Sequence, residues 1–220
     1  MSVALIQSAF AGATTVDFDL KNKVRQTDLG RSQGLRPIFE AIANAFDAIA
    51  DGGAKPPTGA ITVRVLRGDT DRQNLPLTGQ TLRPVVGFEI HDDGVGFNDE
   101  QHGSFKKAYS AKKATTGGKG CGRFLWLKAF ESIEVESHFA TAAGGLEERC
   151  FTFDPENEVV PYTGAKYKTT KQRGSVVRLT NFKSGFKCPL QSGTIARHII
   201  EHCLEQMFAS ERVELVLDDD

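Results

Sequence analysis

At 220 residues, with 40% hydrophobic and 25% charged residues, the chain has the composition of a globular protein long enough to bury a sizeable core. Its formal net charge of -1 gives no global pull toward nucleic acid or anionic lipid. No apolar run is long enough for a membrane helix and no basic residues precede the apolar start MSVALIQSAFAGA, so no membrane segment and no signal peptide are read, and the expectation is a cytoplasmic protein.

Taken in chain order, alternation and β-branched residues predict a strand near Thr15–Asp19, and helical spacing predicts a helix over Arg36–Ala50. Strands follow at Ala60–Arg67 and Val85–His91, joined by a polar, turn-rich stretch from Gly68 to Pro84 that reads as a long exposed hairpin connection. Helical patterns fall at Glu100–Ala111 and Arg123–Phe130, then strands at Ser132–Phe139, Leu146–Phe153 and Ser175–Leu179, then a helix at Ser192–Phe208. A last strand-like run, RVELVLDDD, stops on three aspartates, as though the chain continued. Many strands with few helices predict an α/β (α+β) fold: one domain over residues 1–220, a two-layer sandwich whose mixed sheet is covered on one face by helices. Cys121, Cys150, Cys188 and Cys203 are scattered without a C-x-x-C pair, the pattern of reduced thiols. His198, His202 and Cys203 share a helix at metal-like spacing, but no fourth ligand accompanies them.

The helix EAIANAFDAIA has unusual polar contents. At 100° per residue, Glu40, Asn44 and Asp47 fall on one stripe, while Leu35, Ile38, Phe39, Ile42, Phe46 and Ile49 gather opposite. The stripe is either a solvated outer face or a ligand-facing one. Solvated faces are usually laced with lysine, arginine and glutamate, and this one has no basic residue. Ala41, Ala43 and Ala48 flank it and leave room for something to lie against the helix, and hard oxygen ligands of this kind suit Mg²⁺.

Two further stretches carry chemistry. In FEIHDDGVGF a strand runs into Asp92 and Asp93, and Gly94 and Gly96 allow a sharp turn and close backbone approach to a flat ligand. Asp92, at the strand end, can accept a hydrogen bond from an exocyclic amine. In ATTGGKGCGRFLWLKAF, Gly117, Gly118, Gly120 and Gly122 crowd the start of an apolar helix, with Lys112, Lys113 and Lys119 alongside. Backbone amides at a helix N-terminus with adjacent positive charge form a phosphate cradle. A Walker A motif is excluded, because no lysine followed by serine or threonine comes after the last glycine.

In this order, E-x-x-x-N-x-x-D-A from Glu40, D-x-G-x-G from Asp92, the glycine-rich loop and the strand RGSVVRL resemble the GHKL superfamily of ATPases over roughly Leu35–Leu179. The resemblance implies the Bergerat fold, with a mostly antiparallel sheet, and a site for ATP and Mg²⁺. It implies that Glu40 is the general base and Asn44 the metal ligand, with Asp47 supporting the metal's water shell or the nucleotide. Asp92 would take the adenine amine, helped by Ser175, with Gly94 and Gly96 shaping the wall. Gly118, Gly120 and Gly122, together with Lys113, Lys119 and Cys121, would line the phosphates, the register of the lysines being left open. Glutamate at position 40 points to hydrolysis, because histidine kinases of the superfamily usually carry asparagine there.

The implied activity is slow ATP hydrolysis that orders a lid and drives nucleotide-dependent homodimerisation, in a look closest to the chaperone and MORC-like branch. In many members a lysine from a following domain reaches the γ-phosphate, and none fits after Leu179, so C-terminal domains of a longer chain are expected partners. The alternatives are an ATP-binding switch without useful turnover and a histidine-kinase-type catalytic domain.

Overall fold

The computed structural model describes residues 19–69, 73–74, 81–106, 122–156, 158–161 and 172–219. Helices α1 (Leu20–Gln26) and α2 (Arg36–Ala50) come first, then strand β1 (Thr58–Arg67) and two short strands, β2 (Gln73–Asn74) and β3 (Thr81–Leu82). Strand β4 (Val85–Asp92) leads into helices α3 (Asp99–Lys106) and α4 (Gly122–Ala129). Strands β5 (Phe130–Ala140), β6 (Leu146–Asp154), β7 (Glu158–Pro161) and β8 (Gly174–Phe182), helix α5 (Ser192–Ala209) and strand β9 (Arg212–Asp219) complete the order.

Seven strands form one sheet in the order β7-β6-β5-β8-β4-β1-β9, while β2 and β3 make a separate ribbon within the β1–β4 connection. Strand β9 runs parallel to β1, and the other pairs among the described residues are antiparallel. The fold is therefore the expected α+β two-layer sandwich.

The period of 2 along each strand decides which face is buried. Register places Ile90, Val177, Val135 and Phe151 in one row across β4, β8, β5 and β6, and Phe88, Leu179 and Ile133 in the next. All seven are buried, so this is the face that carries the core. Helix α2 covers it with Ile38, Ile42, Ala45, Phe46 and Ile49; α4 adds Phe124, Trp126 and Leu127, and α5 adds Ile195, Ile199 and Cys203. Each large side chain buried in this way contributes about 1.5–3 kcal/mol. Trp126 Nε1 donates to the Pro37 carbonyl at 3.0 Å, which satisfies the indole and ties α4 to the first turn of α2.

The predicted helix Arg36–Ala50 is observed with those bounds. Asp19 is not the end of a strand: its side chain accepts from Asn22 N at 2.9 Å and caps α1, while residues 15–18 lie outside the described residues. Of the helix predicted over Glu100–Ala111, Asp99–Lys106 is described. Phe130 opens β5 rather than closing α4. Helix α1 and the short β7 had no counterpart in the sequence reading. On α5, His202 stacks on Phe39 with ring centroids 4.3 Å apart, and Cys203 is buried, its thiol pushed up to about 11 by burial. These side chains serve packing.

Candidate functional site

Two segments meet along one ridge of α2. The ridge is Glu40, Asn44 and Ala48, successive i, i+4 positions spanning about 12 Å at 1.5 Å per residue. Glu40 and Asn44 are half-buried and Asp47, to the side, is exposed.

At the N-terminal end of the ridge, the Glu40 carboxylate occupies the space that a Cβ on Gly122 would need. Gly122 is the first residue of α4, so the last glycine of the glycine-rich stretch lies directly on the predicted base. At the other end, Val95 N donates to Ala48 O at 3.0 Å, and a Cβ on Gly94 would come within 2.7 Å of the Ala48 backbone and side chain. The small size of Ala48 thus accommodates the chain's own turn after β4. Asn44 lies midway between the two glycine contacts.

The turn after β4 is held from every side. Gly96 has φ +73, and a Cβ there would lie 2.7 Å from Ser137 Oγ, so the turn requires glycine. Phe97 N donates to Ser137 Oγ at 2.8 Å, and Arg149 donates to Phe97 O and, at 2.7 Å, to Asp99. Asn98 accepts from Gln101 N at 2.9 Å at the entry to α3.

Asp92 and Asp93 part company. Asp93 is exposed and accepts from Ala60 N at 2.9 Å, tying the turn to β1. Asp92 follows the phase of Phe88 and Ile90 and points to the helix-covered face, where its carboxylate accepts from Gly94 N at 2.9 Å. Its pKa is pushed up to about 7, first by burial and further by the charge of Asp93, against the lowering effect of the Gly94 and Ser175 backbone amides.

Ser175 is buried and stands directly opposite Asp92 on β8. Its hydroxyl donates to Ser137 Oγ at 3.2 Å, the neighbouring position in β5. Asp92, Ser175 and Ser137 therefore form a polar row on β4, β8 and β5 at the end of the apolar rows. Ser137 was missed in the sequence. The available signal was phase: after Ile133 and Val135, the next inward position of β5 carries a hydroxyl.

The structure thus brings together Glu40, Asn44, Gly122, Gly94, Gly96, Asp92 and Ser175, with Asp47 beside the ridge. Lys113, Gly118, Lys119, Gly120 and Cys121 lie outside the described residues.

A second group of metal-ligand type, Glu136, His138 and Glu148, lies on the opposite face of β5 and β6. His138 Nε2 is 3.9 Å from Glu148. This group shares no face with the ridge on α2. No family description matches the chain, and no curated protein matches it.

Proposed function

We propose that the chain binds Mg-ATP between α2, the turn after β4 and the start of α4, and hydrolyses it slowly. The observation that carries this reading is the convergence of two separate stretches on one ridge of α2: Gly122 at Glu40 and Gly94 at Ala48, with Asn44 between them. The motif order that resembles the GHKL ATPases supports the nucleotide class.

The side chains fit both groups. Asp92 presents a carboxylate held by two backbone amides, an acceptor suited to an exocyclic amine, on a wall where Gly94 and Gly96 bring backbone close. The Asn44 amide oxygen and the nearby carboxylates of Glu40 and Asp47 are hard oxygen donors of the kind Mg²⁺ takes, usually with several waters retained. When bound, Mg²⁺ would supply charge neutralisation at the phosphates. Asn44 would hold it, with Asp47 supporting its water shell. Glu40, one turn before Asn44, would accept the proton of the attacking water. Asp92 and Ser175 would fix the base. The expected regulation is closure of the glycine-rich segment over nucleotide, with nucleotide-dependent pairing of two copies.

One observation favours a second reading, a nucleotide-binding switch without useful turnover. The Glu40 carboxylate is packed against Gly122, with one oxygen in the space beside the start of α4. Calorimetric titration with ATP in Mg²⁺, beside a single-turnover assay with labelled ATP, separates the two. Binding with hydrolysis supports the ATPase, binding without hydrolysis supports the switch, and failure to bind removes both.

A further inference from the structure

We propose that Ser137, a residue of β5, is a positioning residue for the base end of the site, acting through both walls that hold Asp92. This rests on the nucleotide reading above.

Its hydroxyl is used in full. Ser137 Oγ accepts from Phe97 N at 2.8 Å, donates to Gly174 O at 3.0 Å and accepts from Ser175 Oγ at 3.2 Å. One donor and two acceptor positions are all that a serine hydroxyl has. The side chain is 1% exposed, so these bonds form away from water and leaving any of them unmade is costly.

The three bonds reach the two segments that flank Asp92. Phe97 ends the turn that begins with Gly94, whose amide donates to the Asp92 carboxylate. Gly174 and Ser175 open β8, and the Ser175 amide is the second donor to that carboxylate. Ser137 touches neither Asp92 nor the ridge on α2 through any of these bonds, yet it couples the two amides that aim the acceptor.

The backbone is built around this contact. Gly174 has φ +145, and a Cβ on it would overlap the Asp92 carbonyl, while Gly96 lies against Ser137 itself. Segments packed this closely can move when the tie between them is cut, and displacement of a binding group by about 1 Å can cost about 10²-fold.

The test is Ser137→Ala in the whole chain, with ATP affinity by calorimetry, steady-state ATPase kinetics and a melting curve. The expected result is a Kd and KM for ATP raised about tenfold, with kcat at saturation within about twofold of wild type, because Glu40 and Asn44 are untouched. A merely structural role would instead lower kcat by reducing the folded fraction and leave KM unchanged, and that result overturns the proposal. So does wild-type affinity in the variant. Should Ser137→Ala fail to fold, Ser137→Cys keeps the volume while weakening all three bonds, and must show the same raised KM; a wild-type KM overturns the proposal. If the wild-type chain itself does not bind ATP, the nucleotide reading falls and the proposal with it, a result seen before any variant is made.

Discussion

Glu89 and Asp92 lie three residues apart on β4 but on opposite faces of the sheet, and the two faces treat a carboxylate differently. Glu89 pairs with Arg178, accepts from His91 Nε2 at 2.9 Å, and has Arg64 at 3.5 Å, which in turn reaches Asp218 at 3.0 Å. Its pKa is lowered, chiefly by the His91 hydrogen bond and with help from Arg178, His91 and Arg64, although burial opposes. Among the described residues Asp92 is held by backbone amides, beside Asp93, and is raised to about 7. The outer carboxylate is committed to charge pairs within the fold. The inner one has no cation paired with it among the described residues, and an approaching amine would find an acceptor there. A perturbed carboxyl beside close-packed glycines is a candidate for function, whereas one inside an ion-pair network is more economically explained by structure.

The comparison breaks most visibly at the ridge on α2, which the inner face serves. Glu40→Ala should leave Mg-ATP bound while the single-turnover rate falls about 10²- to 10⁴-fold, the usual contribution of a general base. Alanine also vacates the space against Gly122 without touching Asp92 or Asn44. Hydrolysis at the wild-type rate would mean that Glu40 is not the base, and loss of all binding would mean that the ridge serves the fold.

Asp92→Asn tests the inner carboxylate directly. The amide can turn its N–H₂ toward the adenine amine and leave a buried donor unsatisfied, at a cost of about 1–3 kcal/mol. ATP affinity by calorimetry should therefore fall about 5- to 150-fold. Unchanged affinity would remove Asp92 from the site.

These two positions were legible before any coordinates because their signals are local. Helical phase isolates Glu40 and Asn44 within fifteen residues, and a strand running into D-x-G-x-G singles out Asp92. The main strands were legible for the same reason, since alternation is written into each one. What was not legible depends on register. Ser137 belongs with Asp92 only because β8 aligns Ser175 with both, a relation between segments far apart in sequence. What lies in the room beside Ala48 was likewise not legible, because its partner Gly94 arrives from the end of β4. Helix α1 escaped because LKNKVRQ is short, with only Leu20 and Val24 buried, and its cap Asp19 closes an alternating stretch that suggested a strand.

On the outer face, Glu89→Gln keeps shape but removes the charge shared by Arg178, Arg64 and His91. The loss should be about 1–3 kcal/mol at pH 7, a fall in melting temperature of about 3–10 °C. The sign of its pH dependence follows from a folded pKa below the unfolded value of 4.5. Stability from Glu89 is fully present above that value and is lost as pH falls through the folded pKa. Variant and wild type should therefore converge in strong acid. A constant gap across pH 7 to pH 3 would show that shape, and not charge, is what Glu89 supplies.

An effect of the opposite sign comes from the same variant that weakens the inner site. The folded pKa of Asp92 lies near 7 against 3.8 for the ordinary carboxyl, so the folded state holds this proton more tightly than the unfolded chain. Where the folded state binds more protons, stability falls as pH rises, so the wild type should lose stability between about pH 4 and pH 7 through this group and level off above. Asn at position 92 is neutral throughout and removes that decline. Asp92→Asn should therefore melt higher than wild type at pH 8, and within about 1 °C of it at pH 4, measured without nucleotide. A variant that melts lower at pH 8 would show that the carboxylate is well paired in the folded chain, which would place Asp92 with Glu89 as a structural acid and erase the contrast between the two faces.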